Sequence, residues 1–215
     1  MALEHLLNVL FPPRCAACDQ PLAGAAGGFC AICAVSLTPL HATAADDSLR
    51  GLRVLAPDSY GAALADAIVR MKHAGRSETA RILAARIAAR WAAPPMAGAA
   101  LVPVPLHLRD LRSRGYNQAA LLAGHLGRSW GLPVRDVLRR TRRSGGQGGR
   151  DPAGRRAAVE GAFALRRGAL RRLDGRPVLL VDDVLTTGAT AQEVARVLRA
   201  GGIRVAAVIA AARAL

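Results

Sequence analysis

Residues 178–190 read Val178-Leu179-Leu180-Val181-Asp182-Asp183-Val184-Leu185-Thr186-Thr187-Gly188-Ala189-Thr190. Four apolar residues, β-branched at both ends, run into two carboxylates. That composition suits a strand buried on both faces of a parallel sheet. The bend after it is built of Thr, Gly and Ala, and a helical pattern follows: Ala191, Val194, Val197 and Leu198 recur on one face before Gly201-Gly202 ends it. Ile203 to Ala211 then reads as the next strand, completing a right-handed βαβ unit. Such a bend offers backbone N–H groups and hydroxyls at a helix N-terminus, where anions bind. The acid pair is placed at the carboxyl end of its strand, where open α/β sheets take ligands.

Carboxylates accept hydrogen bonds from sugar hydroxyls, and an N–H-lined bend holds a phosphate, so a ribose 5-phosphate satisfies both halves. A Walker loop is excluded because no Gly-Lys-Ser/Thr follows the glycine. The run resembles the ribose-phosphate motif of the type I phosphoribosyltransferases. That resemblance implies Asp182 and Asp183 on the ribose 2′ and 3′ hydroxyls, with Thr186, Thr187, Gly188, Ala189 and Thr190 around the 5′-phosphate.

The 215 residues allow one medium domain with a small appendage. Half the chain is hydrophobic (52%) but only 3% is aromatic, so the core is expected to be Leu, Val, Ile and Ala. No apolar run approaches the ~20 residues of a membrane span. Leu3, Leu6, Leu7 and Leu10 suit a short amphipathic helix rather than a signal peptide, and a cytoplasmic location is expected. Net charge is +15, and of 30 basic residues only Lys72 is lysine, a ratio that points to coding bias as much as to a polyanionic partner. The densest basic tract, residues 139–176, has twelve Arg against Asp151, Glu160 and Asp174.

The only cysteines are Cys15, Cys18, Cys30 and Cys33, two Cys-x-x-Cys pairs eleven residues apart. Each pair can offer two thiolates from one knuckle, and two knuckles complete a tetrahedral zinc site. Two disulfides do not fit a chain without an export signal. His41 is nearby, but four thiolates already suffice. Residues 12–40 are therefore read as a zinc ribbon with a structural Zn2+. The division expected is 1–45 for the N-terminal helix and ribbon, and 46–215 for the main domain.

Between these ends, Leu64, Ala67, Ile68 and Met71 define one helix. Ser77 reads as the N-cap of a second, with Ile82, Leu83, Ile87 and Trp91 on its apolar face and Pro94-Pro95 beyond its end. The joining segment, Lys72 to Arg76, is either a cationic loop at a ligand or a solvated turn. Ala99 to Leu106 starts as a buried strand and meets Pro103 and Pro105. His107, Arg109, Arg112 and Arg114 crowd the loop expected there, and Gly115-Tyr116-Asn117-Gln118 opens a helix.

Pro103-Val104-Pro105-Leu106, the basic residues, then Arg114-Gly115-Tyr116-Asn117-Gln118 resemble the signature of the ComF family, across nearly the whole chain. The resemblance implies an α/β fold: a type I phosphoribosyltransferase-like parallel sheet flanked by helices, with a small N-terminal zinc ribbon. It implies phosphoribosyl pyrophosphate with Mg2+ as ligand, and an association with natural competence and DNA uptake. Lys72, Pro105, Leu106, Arg109 and Arg114 become candidates for the pyrophosphate side. Arg114 and Asn117 are read equally as cleft contacts or as local capping. Single-stranded DNA and other competence proteins are candidate partners, and the alternative is a DNA-binding or regulatory protein that keeps the fold without catalysis. Gln147, Arg155 and Gly161-Ala162-Phe163 follow the family pattern, whereas Ala158 stands where the family has Asn, and residues 145–149 are richer in Gly.

Overall fold

The computed structural model describes residues 12–22, 27–41, 46–49, 51–142 and 152–214. The two most apolar β-rich runs form its centre. Strand β7 (Val178–Leu185) and strand β8 (Val205–Arg213) pair in parallel from Val178↔Val205 to Leu185↔Arg213. On the far side of β7 lies β4 (Ala100–Pro103), in register from Ala100↔Val178 to Pro103↔Val181. On the far side of β8, β2 (Leu52–Leu55) and then β3 (Asp58–Ser59) pair along the same strand. They are two lengths of one line, broken at Ala56-Pro57, where proline has no N–H to give. Strand β1 (Asp46–Leu49) closes the edge antiparallel to β2, giving the order β1-β2-β8-β7-β4. A second small sheet pairs β5 (Leu138–Arg140) with β6 (Phe163–Leu165).

Alternation along β7 divides the core. Leu179 and Val181 join one apolar cluster, and Val178 and Leu180 the other, all fully buried. The first face is covered by α2 (Ala62–His73), α3 (Thr79–Arg90) and α5 (Gln118–Trp130). The second is covered by α7 (Ala169–Leu173) and α8 (Ala189–Ala200), with α6 (Pro152–Val159) beside α8. Coverage on both faces explains why the strands read as continuous apolar runs.

The cysteine segment is not a loose appendage. Cys15, Ala16, Ala17 and Phe29 are buried in the same cluster as α2 and α3. Gly28, at φ +74°, lies so close to Ile82 that a Cβ there would meet its side chain at 2.4 Å. After α1 (Ala31–Val35) the chain runs antiparallel past β3, with Ser59 N–H donating to the Thr38 carbonyl at 2.8 Å.

Several expectations change. The segment taken as a loop after β4 is mostly helix α4 (Leu108–Arg114), capped by His107 Nδ1, which accepts from the Arg109 N–H, and closed by Gly115 at φ +81°. Three arginines obscured a seven-residue helix that is too short to show a period. Ser77 is not the cap of α3, which begins two residues later at Thr79 and has no side-chain cap on Glu78; the Ser77 N–H is instead turned back onto the Gly75 carbonyl. Strand β7 does not end at the acid pair but continues to Leu185, because β8 keeps pairing beyond the point where β4 stops. The N-terminal helix expected over residues 1–10 and the Gly-rich segment 145–149 lie outside the described residues. Among the described residues, no helix is long and apolar enough to cross a membrane.

Candidate functional site

Asp182 and Asp183 sit where β4 has ended and β8 has not, so one side of β7 is open beside them. A cavity of about 290 Å3 fills that gap. Asp182, Asp183, Thr186 and Thr190 line it from β7 and the start of α8. Lys72 lines it from the end of α2, Pro105 and Leu106 from the segment after β4, and Arg114 from α4. Residues far apart in sequence are thus brought to one cleft. Arg109 is not in it. It lines an adjoining cavity of about 520 Å3 with His73, Gly75 and Asp110, and Lys72 and Arg114 border both.

The acid pair is electrostatically tense. Asp183 is 8% exposed and its Oδ2 lies 2.9 Å from Lys72 Nζ. Its backbone N–H donates to Asp182 Oδ1 at 2.9 Å. Burial, and next the Asp183 carboxylate, raise the Asp182 carboxyl to about 7; that hydrogen bond, Lys72 and Arg140 pull the other way. Lys72 stands in the last turn of α2, where the helix dipole also favours a cation.

The hydroxyl bend is shaped by its glycine. Gly188 has φ +69°, open to glycine and strained for other residues, and caps the N-terminus of α8. A Cβ on it would lie 1.8 Å from Leu49 Cδ2 of β1. Thr187 Oγ1 accepts from the Ala189 N–H at 3.4 Å. Thr187, Gly188 and Ala189 therefore build the bend, while Thr186 and Thr190 line the cavity.

The opposite wall is pinned by two tyrosine and asparagine contacts. The Tyr116 hydroxyl donates to the Met71 carbonyl at 2.6 Å, tying α2 to the turn before α5. Asn117 Nδ2 donates to the Val104 carbonyl at 3.0 Å, and its Oδ1 accepts from the N–H groups of Ala119 and Ala120. Asn117 lines the cleft, yet its amide is committed to the backbone, which is the capping role. Two lining residues carried no sequence signal as such, Tyr60 just past β3 and Arg140 on β5; a third, Gln118 at the start of α5, belongs to the Arg114–Gln118 signature but is not singled out there as a contact. Arg140, one of twelve arginines in its tract, is singled out only when β5 sets it against the Phe163 ring (5.2 Å) and in the field of Asp182.

At the other end of the chain, the sulfurs of Cys15, Cys18, Cys30 and Cys33 all lie within 4.8 Å of one another. The Cys30 N–H points to Cys15 Sγ at 3.3 Å, as knuckle amides do toward thiolates. Four soft donors closing on one point fit a structural Zn2+. His41 is not part of this group.

A parallel sheet with an acid pair on its central strand, followed by a hydroxyl bend at a helix N-terminus, defines a type I phosphoribosyltransferase domain. Residues 112–214 match the family model of the phosphoribosyl transferase domain, and residues 6–45 that of the double zinc ribbon domain. The chain belongs to the ComF family of zinc-ribbon phosphoribosyltransferase-like proteins. It is 31% identical to the DNA utilization protein YhgH of Salmonella typhimurium over 217 aligned positions, covering 89% of this chain and 92% of that one. YhgH of Escherichia coli K12 is 28% identical with the same coverage. Competence protein F of Haemophilus influenzae is 39% identical over 117 residues, which span 54% of this chain and 50% of that protein. The chain's four cysteines suffice for one thiolate zinc site.

Proposed function

We propose that the cleft binds phosphoribosyl pyrophosphate with Mg2+. The observation that carries this is the convergence of Asp182, Asp183, Thr186 and Thr190 with Lys72, Pro105, Leu106 and Arg114 on one cavity. The 5-phosphate docks at the Thr186–Thr190 bend and the N-terminus of α8. The ribose hydroxyls donate to Asp182 and Asp183. The pyrophosphate lies toward Lys72 and Arg114, with Arg109 flanking. Mg2+ would be held mainly by the ligand's own oxygens and by the acid pair, and would supply charge neutralisation as pyrophosphate leaves. The main task of the acid pair would be to hold the ribose, so little general-base work need come from it.

Calorimetry with phosphoribosyl pyrophosphate and Mg2+ tests this. A saturable signal is expected from the native chain and none from Asp182→Ala/Asp183→Ala. Equal heats, or none from the native chain, overturn it. Release of pyrophosphate across a panel of nucleobases and amines then separates an enzyme from a regulatory binder.

A second reading concerns DNA. Arg139, Arg142, Arg166, Arg167, Arg171, Arg172 and Arg176, all exposed, surround the β5–β6 sheet and α7. The relatives are named for competence and DNA utilization. With few aromatics to stack bases, contact with single-stranded DNA would be made to phosphates and would weaken steeply with salt. Affinity that stays flat between low and physiological salt excludes it.

A further inference from the structure

Two helix N-termini open on the cleft. One is that of α8, which the phosphate bend feeds. The other is that of α5, a helix of thirteen residues whose first two, Gln118 and Ala119, line the cavity. Asn117 caps α5 but satisfies only the N–H groups of Ala119 and Ala120.

The side chain of Gln118 is unusual. The residue is 1% exposed, and its Nε2 has no hydrogen-bond partner among the described residues. Its Oε1 accepts from Arg114 Nη1 at 3.4 Å, so the amide's acceptor end is turned to the guanidinium and its donor end is left over. A buried amide N–H without a partner destabilises a fold, and an apolar side chain of the same length would fill that space without the loss. Among the described residues two other buried side-chain polar atoms are unpartnered, Thr79 Oγ1 and Gln192 Nε2, but neither residue lines this cleft. The group therefore stands at a site of anion chemistry, beside a cation and a helix N-terminus, and no described residue supplies its partner.

We infer that Gln118 is a ligand-binding residue: its Nε2 donates to an anionic oxygen at the end of the ligand remote from the 5-phosphate, next to Arg114. This rests on the assignment of the cleft to phosphoribosyl pyrophosphate, for which that oxygen belongs to the diphosphate. Gln118 then contributes to specificity, because ribose 5-phosphate has nothing to offer it. A donor that carries no charge adds selectivity for an acceptor oxygen without adding to the attraction that Lys72 and Arg114 exert on any anion.

The test is calorimetry of the full chain with Mg2+ against three probes: phosphoribosyl pyrophosphate, pyrophosphate and ribose 5-phosphate. Gln118→Met keeps the length and removes the donor, and Gln118→Glu puts a carboxylate in its place. Thermal unfolding of each ligand-free variant is measured alongside. Gln118→Met should unfold at or above the native temperature, bind the two diphosphates about tenfold more weakly, and bind ribose 5-phosphate as the native chain does. Gln118→Glu should lose more of the diphosphate affinity than Gln118→Met. Native affinity of Gln118→Met for phosphoribosyl pyrophosphate, measured beside a native chain that binds it, overturns this inference alone. So does a lowered unfolding temperature with equal weakening for all three probes, since that is a packing role. Failure of the native chain to bind phosphoribosyl pyrophosphate removes the cleft's assignment, and this inference with it.

Discussion

Lys72 Nζ lies 2.9 Å from Asp183 Oδ2, which joins the last turn of α2 to the middle of β7 across the cleft. The pair does two jobs at once. It offsets a carboxylate that is only 8% exposed, and it keeps the single lysine of the chain at the cavity wall. Lys72→Met removes one of the influences that hold the Asp182 carboxyl down. Binding of phosphoribosyl pyrophosphate should weaken by about tenfold at pH 8, the effect of losing one charge-assisted contact. The pH midpoint of that binding should also move above the native one. Calorimetry of both proteins across a pH series checks both outcomes, and an unmoved midpoint would remove Lys72 from the acid pair's electrostatics.

The acid pair makes opposite demands on pH. Asp182 titrates at about 7 in the folded chain, against a reference of 3.8. A carboxyl raised in this way keeps its proton longer when folded, so its contribution to stability is complete below 3.8 and is lost as pH rises through about 7. Asp182→Asn mimics the protonated form. Its stability advantage over the native chain should therefore grow from about pH 4 to about pH 7 and level off above. Ligand affinity should run opposite to the native chain's own stability, rising through about 7 as the carboxylate becomes an acceptor for a ribose hydroxyl. Urea midpoints and binding constants at matched pH values measure the two trends. If the native chain's affinity does not rise through about 7, Asp182 does not meet the sugar.

How far could the residues alone be read? The run from Val178 to Thr190 announced strand, acids and bend because each is a local property. A continuous apolar run, carboxylates and hydroxyls need no partner to be seen. What the run could not announce is that β7 continues through the acids to Leu185, because that depends on the length of β8 opposite. Likewise Lys72 was open between a ligand loop and a solvated turn until the tertiary fold set it against Asp183. Tyr60 and Arg140 reach the cleft from the end of an edge strand and from a separate small sheet, and nothing within a few residues of either marks them. Asn117 was open between cap and contact, and counting its hydrogen bonds decides for the cap.

Gly188 and Leu49 form a contact that the sequence would not suggest, since an edge strand reaches over the hydroxyl bend. Gly188→Ala brings two costs: a positive φ that disfavours a side chain, and a Cβ within 1.8 Å of Leu49 Cδ2. Together these should destabilise by about 2–3 kcal/mol. Adding Leu49→Ala relieves the clash but leaves the backbone strain, so the double variant should recover only part of the loss beyond the cost of Leu49→Ala itself. Chemical denaturation of the four proteins, treated as a double-mutant cycle, gives the coupling. A coupling near zero would mean that Leu49 moves aside freely.

The cysteine group should hold one Zn2+ per chain, countable by native mass spectrometry. Its removal has a specific place to be felt. Ala16, Ala17 and Phe29 are buried with Ile82 and Leu83 of α3, and Gly28 abuts Ile82. A chelator, or Cys33→Ser, should therefore raise amide exchange along Ala80–Ile87 while β7 and β8 stay protected. Uniform loss of protection would show that the ribbon is instead needed for the whole fold.

Asp58 is 1% exposed and sits on β3, paired with Ala212 of β8. Its carboxylate accepts two hydrogen bonds from one guanidinium, Arg86 Nε at 2.9 Å and Nη2 at 2.7 Å. The forked geometry is what Arg supplies and Lys does not. Arg86 is 29% exposed, so the pair is buried on one side only and solvent screens the cation's half. Arg86→Ala strands the carboxylate and should destabilise by about 3 kcal/mol, the low end for breaking a buried pair. Arg86→Lys should recover less than half of that. Asp58→Asn/Arg86→Ala, which leaves no buried charge, should be more stable than Arg86→Ala alone. Urea denaturation orders the four proteins. Because the pair lies on α3 and β3 and is not part of the cleft lining, affinity for phosphoribosyl pyrophosphate should stay within about twofold of native in every folded variant; a larger change would mean that β3 transmits its position to Tyr60, two residues further on.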